Sequence, residues 1–156
     1  MNNRRSFITG INGIKLNKKE ITFLKKYKPW GIILFSRNLS NFRQIKSLTS
    51  KIRKIFKDKN YPILIDQEGG KVNRLNKFIS LDNLTSEFFG KIYIKNKREF
   101  KVIFKLYIDK ISFLLFNLGI NINTVPVLDL RYKGSSNIIG NRSYSKNPKV
   151  VSEIGN

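Results

Sequence analysis

Apolar positions along the chain alternate between a helical rhythm and short uninterrupted runs. Ile21, Leu24 and Tyr27 return at helical spacing, and Asn17 with Glu20 three residues later supplies a capping-box start. Pro29 closes that helix, and GIILF at 31–35 reads as a short strand, apolar on both faces. Ser40 or Asn41 caps a second helix. Its stripe runs Phe42, Ile45, Leu48, Ile52, Ile55 and Phe56, with Arg43, Lys46, Lys51 and Lys54 off that face. Residues 58–60 read as a turn before the second strand, YPILI at 61–65. A loop containing Gly and Asn then leads to a long helix over about Lys97 to Leu118. Its stripe is Phe100, Ile103, Phe104, Tyr107, Ile111, Leu114, Leu115 and Leu118, and Gly119 is its stop. A third strand is expected over roughly Ile120 to Leu128, ending near Asp129. Asn147 and Pro148 open a further helix with Val150, Val151 and Ile154 on its apolar face.

Strands alternating with helices, with strands apolar on both faces, predict an α/β fold: a parallel sheet covered by helices with right-handed crossovers. No GxGxxG or GxxxxGK[ST] follows any strand, so nucleotide-binding versions of the architecture have no support. Polar clusters instead fall where the strands end: Ser36-Arg37-Asn38, Asp66-Gln67-Glu68 and Asp129. Chemistry at the C-terminal ends of strands is the habit of a (β/α)8 TIM-barrel type fold. The pattern supplies about three βα units, and the helix opening at Pro148 has barely begun when the sequence stops. Three strands and an unfinished helix cannot close such a barrel, so residues 1–156 are expected to be either an open sheet or a fragment, the N-terminal portion of an incomplete barrel. Such a piece exposes an apolar strand edge and is expected to self-associate.

Composition narrows the chemistry. The 156 residues suit one domain. There is no Cys and no His, which removes disulfides, thiolate sites and the commonest general base. Lys and Arg outnumber Asp and Glu 31 to 10, a net charge of +21 that would ordinarily point to nucleic acid. Yet Lys outnumbers Arg 22 to 9, Lys, Asn and Ile make up 62 residues, and Ala is absent. That bias, with lysines scattered over helix faces, reads as a solvated basic surface, so neither nucleic acid nor membrane is expected as a partner. The apolar stretch near the N-terminus is broken by Asn12 and glycines, and no run approaches the roughly 20 residues of a membrane span. A soluble, cytoplasmic protein is expected.

The candidate chemistry centres on ILIDQEGGKVNRL at 63–75. Asp66 at a strand end presents a carboxylate, Gly69 and Gly70 allow a tight turn beside a ligand, and Arg74 lies eight residues beyond Asp66. Carboxylate and guanidinium together suit a neutral polyol, one accepting from hydroxyls and the other donating to them. An ordinary strand-to-loop turn with a solvated ion pair would read the same way. Arg142, flanked by Gly140 and Ser143, sits in a loop able to bend over such a site, and taken alone it is a surface arginine. Glu68 is expected to hold the loop, paired with a backbone amide or with Arg37.

Four ordered elements, PWGIILFSRN (29–38), ILIDQEGGKVNRL (63–75), GININTVPVLDL (119–130) and IIGNRSYSKNP (138–148), resemble the N-terminal part of family 3 glycoside hydrolases. They are most similar to single-domain bacterial β-N-acetylhexosaminidases. The resemblance runs from about residue 6 to the end. It implies that Asp66 holds the hydroxyls of the non-reducing sugar and that Arg74 and Arg142 bind substrate. Arg37, Glu68, Gly69, Gly70 and Asp129 then support the site. Tyr144 stands where Phe is more usual, and Lys71 where Arg is. The resemblance further implies a hydrolase that releases N-acetylglucosamine from muropeptides or oligosaccharides in peptidoglycan recycling. It would act with retention through an Asp nucleophile and need neither metal nor cofactor. The family's acid/base histidine and its nucleophilic Asp lie in later segments, and these residues include no His. No catalytic residue is therefore expected here, and the chain as given is expected to be inactive. The alternatives are a non-catalytic degenerate half-barrel that keeps a remnant sugar site and, more weakly, a basic nucleic-acid-binding protein.

Overall fold

In a computed structural model describing residues 3–132, 134 and 136–156, the two apolar runs form the middle of a parallel sheet. The chain divides into two units. The first, Met1–Asp66 with Ser112–Asn123, holds the sheet. Its strands are β1 (Arg5–Gly10), β2 (Pro29–Leu34), β3 (Ile63–Ile65) and β4 (Ile122–Asn123), in the order β1-β2-β3-β4. All neighbours run parallel, with Ile32 opposite Ile63, Leu34 opposite Ile65 and Leu64 opposite Ile122. Sequential parallel order with a helix between strands is how the wall of a (β/α) barrel is laid down.

Two helices, α1 (Lys18–Tyr27) and α2 (Phe42–Phe56), connect the first three strands. The expected starts are present. The Asn17 side chain accepts from the Glu20 amide while Glu20 reaches back to the Asn17 amide, and Asn41 accepts from the Gln44 amide. The stripes face inward, except that Phe42 at the start of α2 is exposed. Leu24 of α1 and Ile45 and Ile52 of α2 are buried with Ile32, Leu34, Ile63 and Ile65. Each such side chain contributes roughly 1.5–3 kcal/mol on leaving water. Tyr61 is fully buried, stacks on Phe56 at 3.9 Å and donates its hydroxyl to the Pro29 carbonyl at 2.7 Å.

The second unit, Gln67–Ile111 with Thr124–Asn156, is helical and aromatic. It contains α3 (Ser86–Lys95), most of α4 (Lys97–Asn117) and α5 (Pro148–Gly155). Its core gathers Phe89, Tyr93, Phe100, Tyr144 and Val151, with Phe104 and Tyr107 packed against them. Ring pairs such as Tyr93–Phe100 (5.1 Å, 90°) and Phe104–Tyr144 (6.1 Å, 89°) meet edge to face. No helix among the described residues is long and apolar enough to cross a membrane.

Three details differ from the sequence expectation. The sheet has four strands where three were expected, because RSFITG forms an edge strand whose residues are only half-buried or exposed, so no continuous apolar run marks it. Helix α3 was not expected: its mid-helix Gly90 and its Ile92, Tyr93 and Ile94 weaken the helical signal, although Thr85 caps it through the Phe88 amide. The expected strand over 120–128 is ordered as a ladder only at Ile122–Asn123. Thr124 to Pro126 are exposed, and Pro126 brings no amide to continue the ladder.

Candidate functional site

Asp66 directly follows β3, whose three residues are fully or nearly fully buried, and is itself half-buried at the end of the first unit. Arg37 lies in a short 3-10 turn, Ser36–Asn38, of the same unit. Its Nε donates to the Ile11 carbonyl at 3.1 Å and its guanidinium lies 4.6 Å from the Phe35 ring centre. Buried Asn38 reinforces that turn, donating to the Ile11 and Gly13 carbonyls and accepting from the Phe35 amide.

In the second unit the residues after Asp66 fold into a tight turn. The Glu68 amide donates to the Val72 carbonyl (3.0 Å) and the Val72 amide to the Gly69 carbonyl (3.2 Å). Gly69 has φ +91°, and a Cβ there would stand 2.3 Å from the Leu84 carbonyl oxygen. Gly70 has φ +53°, with a Cβ 2.7 Å from Thr85. Only glycine satisfies both the left-handed backbone and the close approach. Tyr107 of α4 donates its hydroxyl to the Glu68 carbonyl at 3.1 Å, tying the turn to the aromatic core.

Two amides that sequence reasoning passed over hold the rest of the loop. Gln67 is 1 % exposed. Its Nε2 donates to Asn73 Oδ1 at 3.0 Å, and its Oε1 accepts from the Leu75 amide at 3.0 Å. Asn73 also accepts from the Leu75 amide and donates to the Ile79 carbonyl at 2.9 Å. Arg74 is half-buried between the buried Asn73 and Leu75. The sequence signal was available in part, since an Asn and a Gln flanking a diglycine are well suited to satisfying loop amides.

Arg142 closes a second short 3-10 turn, Gly140–Arg142. Its Nε donates to Glu68 Oε2 at 2.8 Å and its Nη2 to Oε1 at 2.9 Å, a two-point fork. The Glu68 side chain is 6 % exposed and that of Arg142 23 %. The Glu68 side chain is thus paired with Arg142, neither with a backbone amide nor with Arg37: the distant loop, unreadable as a neighbour from sequence spacing, supplies the guanidinium. Tyr144, two residues on, is anchored in the aromatic core. Here α3 approaches closely. A Cβ at Gly90 would lie 1.8 Å from the Tyr144 carbonyl oxygen, so the segment carrying Arg142 rests on that glycine. Burial pushes the phenols of Tyr107 and Tyr144 up to about 12, and the Glu68 carboxylate adds to both shifts. Asp129 is exposed in the loop after β4. Among the described residues no group of three or more Asp or Glu is placed to hold a metal ion.

The structure therefore brings Glu68 and Arg142 together, while Asp66 ends the sheet of the first unit and Arg74 sits in the amide-braced loop of the second. Comparison with known proteins gives this arrangement a family. The model of the glycosyl hydrolase family 3 N terminal domain matches residues 6–156. The beta-hexosaminidase of Neisseria gonorrhoeae (strain NCCP11945) is 31 % identical over 156 residues, covering 97 % of this chain and 41 % of its own length. Beta-hexosaminidase A of Pseudoalteromonas piscicida is 32 % identical over 140 residues, covering 85 % of this chain and 22 % of its own. Among solved structures, NagZ from Neisseria gonorrhoeae in complex with N-trifluoroacetyl-D-glucosamine superposes with a TM-score of 0.85 at 30 % identity. That match covers 97 % of this chain and 45 % of NagZ. The chain thus spans less than half the length of these relatives, and with the family model matched across nearly all of it, it belongs to glycosyl hydrolase family 3.

Proposed function

We propose that the chain is the substrate-holding N-terminal part of a β-N-acetylhexosaminidase barrel domain. The complete enzyme would remove terminal N-acetylglucosamine from peptidoglycan fragments in the cytoplasm, with retention of configuration. The observation that carries the reading is the likeness to NagZ, a structure holding an N-acylated glucosamine, over 97 % of this chain. In this reading Asp66 holds the sugar hydroxyls, and Arg74 and Arg142 donate hydrogen bonds to the sugar, roles that the resemblance of their motifs supports. The tight turn at Gly69 and Gly70 and the fork that Arg142 donates to Glu68 supply the rigidity such a role needs. Retaining hydrolysis also requires a nucleophile and an acid on opposite sides of the scissile bond. These residues include no His, so in our reading they bind sugar and leave the bond-breaking steps to groups outside this stretch.

The test is titration of the 156-residue chain with N-acetylglucosamine, followed by NMR, alongside an assay on an aryl N-acetylglucosaminide. We expect saturable binding that Asp66→Ala abolishes, and no turnover above background. Absence of sugar binding in a folded chain would sink the reading. Turnover that disappears with Asp66→Ala would sink its division between holding and cleaving.

A further inference from the structure

We infer that Glu68 is a specificity-determining residue: by neutralising Arg142 it makes that position accept neutral sugar atoms and turn away anions. The inference rests on the reading of Arg142 as a sugar-contacting residue and adds to it the reason such an arginine is usable in this chain.

With Lys and Arg outnumbering Asp and Glu 31 to 10, the chain has a strongly positive field. A lone guanidinium in a partly dry site within that field would draw carboxylates and phosphates, for which its planar fork is well shaped. Here the fork is already engaged. Glu68 takes Nε and Nη2 at 2.8 and 2.9 Å, so a second carboxylate or phosphate can no longer approach that edge. The pair also carries no net charge. With the Glu68 side chain 6 % exposed, solvent screens its carboxylate little, and its field reaches what Arg142 faces. An incoming anion therefore meets a dipole, whereas a hydroxyl or amide oxygen needs only an oriented N–H.

Glu68 is held for this purpose from its own backbone. The Tyr107 hydroxyl grips its carbonyl, its amide is bonded to Val72, and the following Gly69 has no room for a side chain. A residue needed only to fill space would not require a carboxylate aligned with both nitrogen atoms.

The experiment compares the wild-type chain with Glu68→Gln and Glu68→Asp, titrated separately with N-acetylglucosamine and with inorganic phosphate. Lysines elsewhere attract phosphate, so the readout is local: the Arg142 Nε–H and Tyr144 amide signals in nitrogen-edited NMR, and displacement of bound sugar. For wild type we expect sugar to shift both signals and phosphate to leave them and the bound sugar unmoved. Glu68→Gln keeps a neutral isostere but frees the arginine's charge. It should lose about tenfold or more in sugar affinity and acquire phosphate binding at the same signals. Glu68→Asp keeps the charge and should continue to exclude phosphate even where its shorter reach weakens sugar binding. A merely structural Glu68 would change melting temperature and sugar affinity without switching the ligand. The proposal is overturned if phosphate competes with sugar in the wild type, or if a folded Glu68→Gln stays indifferent to phosphate. If Glu68→Gln fails to fold, the wild-type and Glu68→Asp arms decide: phosphate exclusion by both supports the proposal, and phosphate binding by either overturns it. If the wild type binds no sugar, it is the functional reading that fails. The phosphate arm then decides this proposal alone, gain of phosphate by Glu68→Gln supporting it and no gain overturning it.

Discussion

Replacing Gly90 by Ala sets two physical effects against each other with opposite signs. Gly90 lies in the middle of α3, where Ala is the better helix former by about 1 kcal/mol. Propensity alone therefore expects Gly90→Ala to stabilise. The structure expects the reverse. The new Cβ would sit 1.8 Å from the Tyr144 carbonyl oxygen, 2.7 Å from its carbonyl carbon and 3.1 Å from its Cα, all backbone atoms that no rotamer change can move. Restoring an ordinary contact needs a separation about 1.6 Å larger between α3 and the segment after Arg142, in a core packed to near-crystalline density. Overpacking of this kind costs roughly 1–3 kcal/mol, and a backbone obstacle places it at or beyond the upper end. Subtracting the propensity gain leaves a net loss of about 2 kcal/mol, or a fall of roughly 4–8 °C in melting temperature for a chain of this size. Thermal and urea melts of the two proteins measure it, and sugar titration reports whether Arg142 has moved. A variant as stable as the parent, or more stable, would show that α3 and the Tyr144 segment are not in the contact described, and the account of how Arg142 is positioned would fall with it.

Other perturbations probe separate parts of the fold. Lys57, the C-cap of α2, is left-handed at φ 51°, and Lys57→Gly should raise unfolding stability by about 0.5–1 kcal/mol in urea melts; no gain would argue that α2 ends differently. Tyr107 and Tyr144 keep their protons in the folded state up to about pH 12, above the ordinary phenol value of 10.0, so their contribution is complete below pH 10 and is lost as pH rises toward 12. Melts between these limits should show falling stability, with a shallower fall in Tyr144→Phe; a slope that this variant leaves unchanged would refute the assignment. Asn73→Ala strips partners from Gln67, the Leu75 amide and the Ile79 carbonyl, and should cost about 2 kcal/mol, with faster hydrogen exchange at Leu75 before global unfolding. Unchanged exchange there would show that Asn73 does not brace the loop.

How much of this could be read from the sequence depends on the range of the physics involved. Helices α1 and α2 were legible because capping and amphipathic spacing are local: Asn17, Glu20 and Asn41 act within one turn, and Ile45, Leu48 and Ile52 need only a common inside. β2 and β3 were legible because strands buried on both faces leave uninterrupted apolar runs. β1 lacks such a run, since an edge strand alternates half-buried with exposed positions and ends in Gly10. α3 was hidden by a glycine whose reason for being there, the passage of the Tyr144 backbone, lies more than fifty residues away in sequence. The run at 120–128 misled in the other direction: apolar residues outlast the ladder, which stops at Asn123.

The candidate site divides along the same line. Asp66, Gly69, Gly70 and Arg74 stand in one stretch, and the need for a carboxylate at a strand end followed by a glycine turn can be argued without a structure. What makes the stretch rigid cannot. Gln67 and Asn73 are side-chain amides of no special promise in a chain with 18 asparagines, and they matter because they face each other in a buried loop. Glu68 and Arg142 are 74 positions apart, and sequence reasoning gave Glu68 a backbone amide or a nearer arginine, Arg37. That choice failed for a physical reason. Arg37 is already spent within the first unit, bonded to the Ile11 carbonyl and lying over Phe35, whereas Arg142 arrives on a turn held in place by the Tyr144 ring and the missing side chain of Gly90. Residue types announced the chemistry, and the aromatic core of the second unit decided which charges would meet. The motif alone therefore does not establish a working sugar site. Losing the space at Gly90 would leave every motif residue in place and still remove the partner that holds Glu68.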